Sequence, residues 1–219
     1  MNEIYEFLRG PCLRATAFIF VIATIWRLAY LYGLSRERDR VHYNHKDLKW
    51  ALRSIFQWLL PLGSRSMRSK PAFSIASYIF HMCLFVVPMF LSAHNTLWRE
   101  SFGWSFRSMP DSVADALTIL FMTSVVFLVL RRLVRPEVRI LSSPWDYILP
   151  ILVLLPFLTG FLAYHQVGPY RAVLVLHVLC GELLLIIVPF TKIGHFILFF
   201  FTRTFIGYEM GARRGARPW

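Results

Sequence analysis

Charged residues are scarce in this chain. Only 16% of its 219 residues are Asp, Glu, Lys or Arg, 57% are hydrophobic, and the mean hydropathy is +0.53. Water-soluble domains usually carry about a quarter charged residues, so a chain built for water is excluded. Cysteine is nearly absent too. Cys12, Cys83 and Cys180 all lie in apolar stretches without CxxC spacing, which excludes a disulfide framework or a cysteine-ligated metal, and they are expected to be small buried hydrophobes. The sequence carries no motif for nucleotide, flavin or iron–sulfur ligation, no internal repeat and no low-complexity tract. The N-terminus has neither the basic region nor the cleavage site of a signal peptide, so its first apolar run is expected to remain as a span.

Long apolar runs are what the chain does have. Five of them, at residues 12–34, 73–94, 112–130, 147–165 and 171–201, are each long enough to cross about 30 Å of hydrocarbon at about 1.5 Å per residue. The expected fold is all-α, an integral membrane bundle of five transmembrane helices in which residues 1–219 form a single domain. Pro88 is expected to kink the second span, and Pro150 and Pro156 lie inside the fourth. Within the basic stretch 35–72, residues 48–60 place apolar side chains at helical spacing before Pro61. They predict an amphipathic helix lying in the membrane interface or docking a partner. Trp98, Phe102, Trp104 and Phe106 form an aromatic loop suited to headgroup depth.

The net charge of +12 could point to nucleic acid, but its distribution points to topology. Seventeen Lys and Arg residues fall in 35–72, 131–139 and the tail after Phe201, against Arg9, Arg99, Arg107 and Arg171 in the alternate segments. The positive-inside rule then places the N-terminus outside and the C-terminus in the cytoplasm. The partner implied is a lipid bilayer, not nucleic acid.

Ionisable residues inside spans are costly and are functional candidates by default. Arg27 lies deep in the first span and needs a partner. Glu182 lies inside the fifth, where it would relay protons or answer Arg27. Of seven histidines, His42 and His45 sit in the basic loop as solvated residues, while His81, His94, His165, His177 and His195 lie in or at the ends of spans. His177 and His195 are 18 residues apart. On one continuous helix that is five turns, with both rings on one face about 27 Å apart along the axis. His81 lies at a depth comparable with His195. Pairing imidazoles from two helices across a flat macrocycle is how helical bundles hold bis-histidine haem, and satisfied structural histidines are the alternative.

The fifth apolar run contains Leu176-His177-Val178-Leu179-Cys180-Gly181-Glu182 and Val188-Pro189-Phe190-Thr191-Lys192-Ile193-Gly194-His195. It resembles the last span of the gamma (cytochrome b) subunit of respiratory nitrate reductases, with the same His-x3-Gly and Pro-Phe-[Ser/Thr]-[Arg/Lys]-x2-His elements and the same histidine spacing. Ile79-Phe80-His81 resembles that family's second-span haem motif, and Arg131-Arg132-Leu133 with Pro136 and Val138-Arg139 its third cytoplasmic junction. The resemblance runs from about residue 73 to the tail. It implies b-type haem, with His81 and His195 matching the ligands of the inner haem and His177 one ligand of the outer haem. The family's second outer ligand falls on Leu91 here. His94, one turn further on, or His165, at the end of the fourth span, would substitute, with His94 favoured for sharing the helix. One or two haems follow, and a quinone is a further candidate ligand.

The altered outer ligand and short loops also resemble the small cytochrome b subunits of sulfate reducers' transmembrane redox complexes of the Hmc, Tmc and Dsr types. That resemblance implies an electron-transfer subunit of a respiratory oxidoreductase complex. Its partners would be a cytoplasmic iron–sulfur subunit, heterodisulfide-reductase-like or ferredoxin-like, a periplasmic multihaem cytochrome c, and other membrane subunits. The alternative is a haem-free or single-haem anchor that only docks soluble redox subunits.

Overall fold

The computed structural model describes residues 2–217, with the backbone alone at Asn2 and His42; Met1 and the last two residues of the basic tail lie outside the described residues. The chain is 83% helical, and no strand occurs among the described residues. Eight principal helices follow in order: α1 (Leu13–Arg38), α2 (Leu48–Leu59), α3 (Pro71–Phe90), α4 (Ser92–Phe102), α5 (Asp111–Val134), α6 (Trp145–Tyr164), α7 (Tyr170–Ile187) and α8 (His195–Ile206). Five helical stretches, Glu3–Arg38, Pro71–Phe90, Asp111–Val134, Trp145–Tyr164 and Tyr170–Phe190, are long and apolar enough to cross a membrane. The protein is a multi-pass membrane protein. Its exposed surface agrees, since Phe18, Ile25, Val126 and Ile151 all point outward, as side chains do when the solvent is lipid.

Two of the expected spans end differently. The second stops at Phe90, not at residue 94, because Leu91 takes an extended conformation (ψ 134°) and α4 begins at Ser92. A buried Asn95 stabilises this break: its Oδ1 accepts from the Phe106 backbone N–H at 2.8 Å and its Nδ2 donates to Ser108 Oγ at 3.3 Å. The presumed aromatic loop therefore starts as a helix, and Trp98 packs on Trp104 and Phe106 at ring separations of 5.2 and 5.6 Å. The fifth apolar run is also broken. α7 ends at Ile187, two short 3₁₀ segments follow, and Thr191 between them is extended (φ −118°, ψ −179°) before α8 starts at His195. Pro189 has no N–H to continue an α-helix. The five-turn relation expected between His177 and His195 does not hold, because no continuous helix joins them.

Contacts divide the chain into two compact units, one of residues up to Phe18 with Ala76–Ile186, the other of Ile19–Ile75 with the residues from Ile187 onward. In the first, α5 packs along α6 around a fully buried Phe121. Its ring stacks between Phe80 at 5.2 Å and Phe157 at 3.8 Å. Ala114, Thr118, Ser124 and Thr159 are also buried; small residues let helix backbones approach closely in lipid. The three hydroxyls bond carbonyls of their own helices, Thr118 to Ala114, Ser124 to Leu120 and Thr159 to Leu155, so none of these three leaves its hydrogen facing hydrocarbon.

In the second unit, α2 is N-capped by Asp47, whose side chain accepts from the Trp50 N–H at 3.0 Å, and it stops just before Pro61, as the residue preceding a proline disfavours helix. The amphipathic helix expected here exists, and it docks within its own chain. The face bearing Ala51 and Ser54 packs on α8 and the following π-helical turn Gly207–Arg213. A Cβ on Gly207 would lie 2.6 Å from the Trp50 carbonyl oxygen, and one on Gly211 would lie 2.3 Å from the Trp50 ring. Leu48, Leu52, Phe56 and Leu59 on the other side remain exposed.

Candidate functional site

Four of the five span histidines share one hydrogen-bonding arrangement. In each, Nδ1 meets a backbone carbonyl: His81 at Ser77 (2.6 Å), His94 at Pro88 (3.1 Å), His177 at Pro156 (2.8 Å) and His195 at Lys192 (2.8 Å). A carbonyl can only accept, so each neutral ring carries its proton on Nδ1 and its lone pair on Nε2, the tautomer of an Nε2 metal ligand. His165 differs. It places Nε2 on Asp115 Oδ1 at 3.3 Å, in an exposed pair.

Helix irregularities supply two of those carbonyls. Because Leu91 turns away after α3, the Pro88 carbonyl lies within reach of His94 on α4. The structure thus corrects the reason for favouring His94: it does not share the helix of His81 but starts the next one. On α6, Gly160 clears the way to Pro156. A Cβ at Gly160 would stand 2.8 Å from His177 Cε1 and 3.1 Å from its Nδ1, so only glycine lets the ring reach the Pro156 carbonyl. The Thr159 hydroxyl lies 3.4 Å from the same Nδ1. Neither Thr159 nor Gly160 was singled out from sequence; the Pro156-x3-Gly160 spacing was the available signal.

His94 and His177 meet in the first unit, with ring centroids 5.8 Å apart and planes 15° from parallel. Two imidazoles bound from opposite sides to one metal, each nitrogen about 2 Å from it, place their centroids about 6 Å apart. The separation and donor type fit an axial pair. Among the described residues no group of three or more His, Cys, Asp or Glu is arranged to hold a metal ion, and two imidazoles suit an iron whose four equatorial positions a macrocycle fills. His81 lies in the first unit, its ring edge-on to Phe80 at 4.9 Å. His195 lies in the second unit, at the first position of α8.

The two ionisable residues inside spans one and five have separate partners. Glu182 is 5% exposed and its Oε2 accepts from the Cys12 thiol at 3.3 Å, while its Oε1 is buried without a hydrogen-bond partner. Arg27 donates from Nη1 to the Pro189 carbonyl and, at 3.1 Å, to the Thr191 carbonyl. The expected Arg27–Glu182 answer is therefore replaced by a thiol for one and backbone carbonyls for the other. Cys12 is half-buried and engaged in this bond, not a fully buried hydrophobe; all three cysteines are free.

Fold and side-chain placement together define a five-span helical membrane protein with a close, near-parallel pair of imidazoles, His94 and His177. The chain is 39% identical to a protein of Nitratidesulfovibrio vulgaris strain Hildenborough described by the single word "Protein", over 226 residues that cover 99% of this chain and 100% of that one. It belongs to the same family as that protein. No family model and no solved structure matches it.

Proposed function

We propose that this protein is the membrane cytochrome b subunit of a multi-subunit respiratory redox complex in a bacterial inner membrane. In this reading it carries electrons across the bilayer between a periplasmic cytochrome c or the quinone pool and a cytoplasmic iron–sulfur subunit. The observation that carries the reading is the His94–His177 pair, with near-parallel rings, centroids 5.8 Å apart and both Nδ1 atoms tied to carbonyls.

His94 and His177 would hold one b-type haem; His81 and His195 are the ligand candidates that the family resemblance gives for a second. A haem so held supplies one-electron chemistry at a potential set largely by its axial ligands and their hydrogen bonds. The carbonyls of Pro88, Pro156, Ser77 and Lys192 orient the rings and raise their basicity. Thr159 adds a second polar contact beside His177. Arg131, Arg132, Arg135 and Arg139, with the basic stretch around α2, would give the cytoplasmic side a positive surface suited to an acidic redox partner.

The test is haem quantification on purified protein in detergent, by pyridine haemochrome and a reduced-minus-oxidised spectrum. Two b haems per chain and a b-type alpha band are expected. Haem-free protein would leave a docking anchor in its place. One haem, lost in His94→Ala but kept in His81→Ala, would restrict the cofactor to the pair described above.

A further inference from the structure

A guanidinium inside a membrane span needs a reason. Arg27 lies well inside α1, far from the basic end at Arg36 and Arg38. Its partners are not carboxylates but the backbone oxygens of Pro189 and Thr191, both in the interruption between α7 and α8. The Pro189 carbonyl stands just past the end of α7, toward the negative end of a helix dipole. In hydrocarbon an unmet carbonyl is expensive, and one cation serves both oxygens.

The interrupted segment is small and tightly linked. The Thr191 hydroxyl accepts from the Ile193 N–H at 3.3 Å, and the Gly194 N–H donates to the Thr191 carbonyl at 3.3 Å. The Lys192 carbonyl, one residue past Thr191, meets His195 Nδ1 at 2.8 Å. Gly194 leaves the room the guanidinium needs, because a Cβ there would lie 3.0 Å from Arg27 Nη1 and 2.9 Å from the Val188 carbonyl oxygen. Arg27 therefore connects to the His195 ring through Thr191 and Lys192, all within one compact unit.

We infer that Arg27 is a positioning residue: it latches the break after α7 and so fixes the direction in which His195 presents Nε2. The ligand role of His195 rests on the haem reading above; the latch does not. Arg27 also lies outside the stretch that carries the family resemblance, so its role follows from these contacts alone.

The experiment uses the full chain in nanodiscs, as wild type, Arg27→Ala, Arg27→Gln and Arg27→Lys. Hydrogen exchange at the Ile193 and Gly194 amides reads the latch, and a redox titration of the haem bands reads the ligand. In Arg27→Ala, exchange at those amides should rise on the order of tenfold, as expected for loss of a charge-assisted hydrogen bond. The haem component that His195→Ala removes should be lost or shifted in potential, and the component that His94→Ala removes should stay in place. Arg27→Lys should restore exchange and potential in part; Arg27→Gln, an uncharged donor, keeps the test available if the alanine variant does not assemble. Unchanged exchange in both Arg27→Ala and Arg27→Gln overturns the latch. Faster exchange with an unmoved potential overturns the positioning role. Wild-type protein without haem removes the haem reading and the ligand role with it, while the exchange result still decides the latch.

Discussion

Gly160 stands where any side chain would collide with His177: a Cβ there would lie 2.8 Å from the imidazole Cε1. The close approach lets the His177 ring reach the Pro156 carbonyl across the gap between α6 and α7. The site thus depends on a missing side chain as much as on a present one.

Gly160→Ala should therefore displace His177. Crowding of this kind costs about 1–3 kcal/mol in a packed interior. The variant should melt at lower temperature and bind less of the haem that depends on His177, measured by thermal unfolding and pyridine haemochrome. A fully loaded, equally stable variant would show that the ring has another place to go.

His94 and His165 should separate cleanly. His94→Ala should abolish binding of the haem proposed between His94 and His177, because the ring that pairs with His177 is gone. His165→Ala should leave haem content unchanged, since its Nε2 serves Asp115 in an exposed pair that contributes at most about 1 kcal/mol. Stoichiometry and redox titration of the two variants, side by side, decide this.

Removing the Cys12 thiol would leave Glu182 with both oxygens unmet in a buried position. Cys12→Ala should destabilise the protein by about 1–3 kcal/mol. Combining it with Glu182→Leu should recover most of that loss, as replacing both partners by apolar groups is close to neutral. Unfolding in mixed detergent micelles gives the comparison.

Phe121→Ala should destabilise the first unit by opening a hole between Phe80 and Phe157. The effect should fall below the about 3–5 kcal/mol typical of soluble cores. Lipid tails are as apolar as phenylalanine, so packing is lost but no transfer from water is. Denaturation by sodium dodecyl sulfate measures the difference.

Gly211→Leu should lever α2 away from the C-terminal turn, because Trp50 occupies the space a side chain would need. Trypsin should then cut at Lys49 and Arg53 several-fold faster than in the wild type. Cleavage that stays slow would mean the docking does not depend on this contact.

Much of this was legible in sequence for a simple reason. Whether a segment can cross a bilayer is a local property of about twenty consecutive side chains, so all five spans and the α2 helix before Pro61 could be read directly. The breaks at Leu91 and Thr191 were harder. Both fall inside apolar runs, and each depends on a distant residue: Asn95 bonding the chain near Phe106, and Arg27 bonding the carbonyls after α7. The sequence favours His94 over His165 for sharing the second-span helix, which it does not; its access to the Pro88 carbonyl and His177 is what distinguishes it.

By itself, then, the sequence determined that this is a helical membrane protein, where its spans lie, and which ionisable groups they carry. The tertiary structure decided how those groups pair. Hydrophobicity acts on each stretch of chain alone, whereas a hydrogen bond inside lipid forms only where packing brings a donor to an exposed carbonyl. That is why His94 meets His177, Glu182 meets Cys12, and Arg27 meets the broken end of a helix more than 160 residues away.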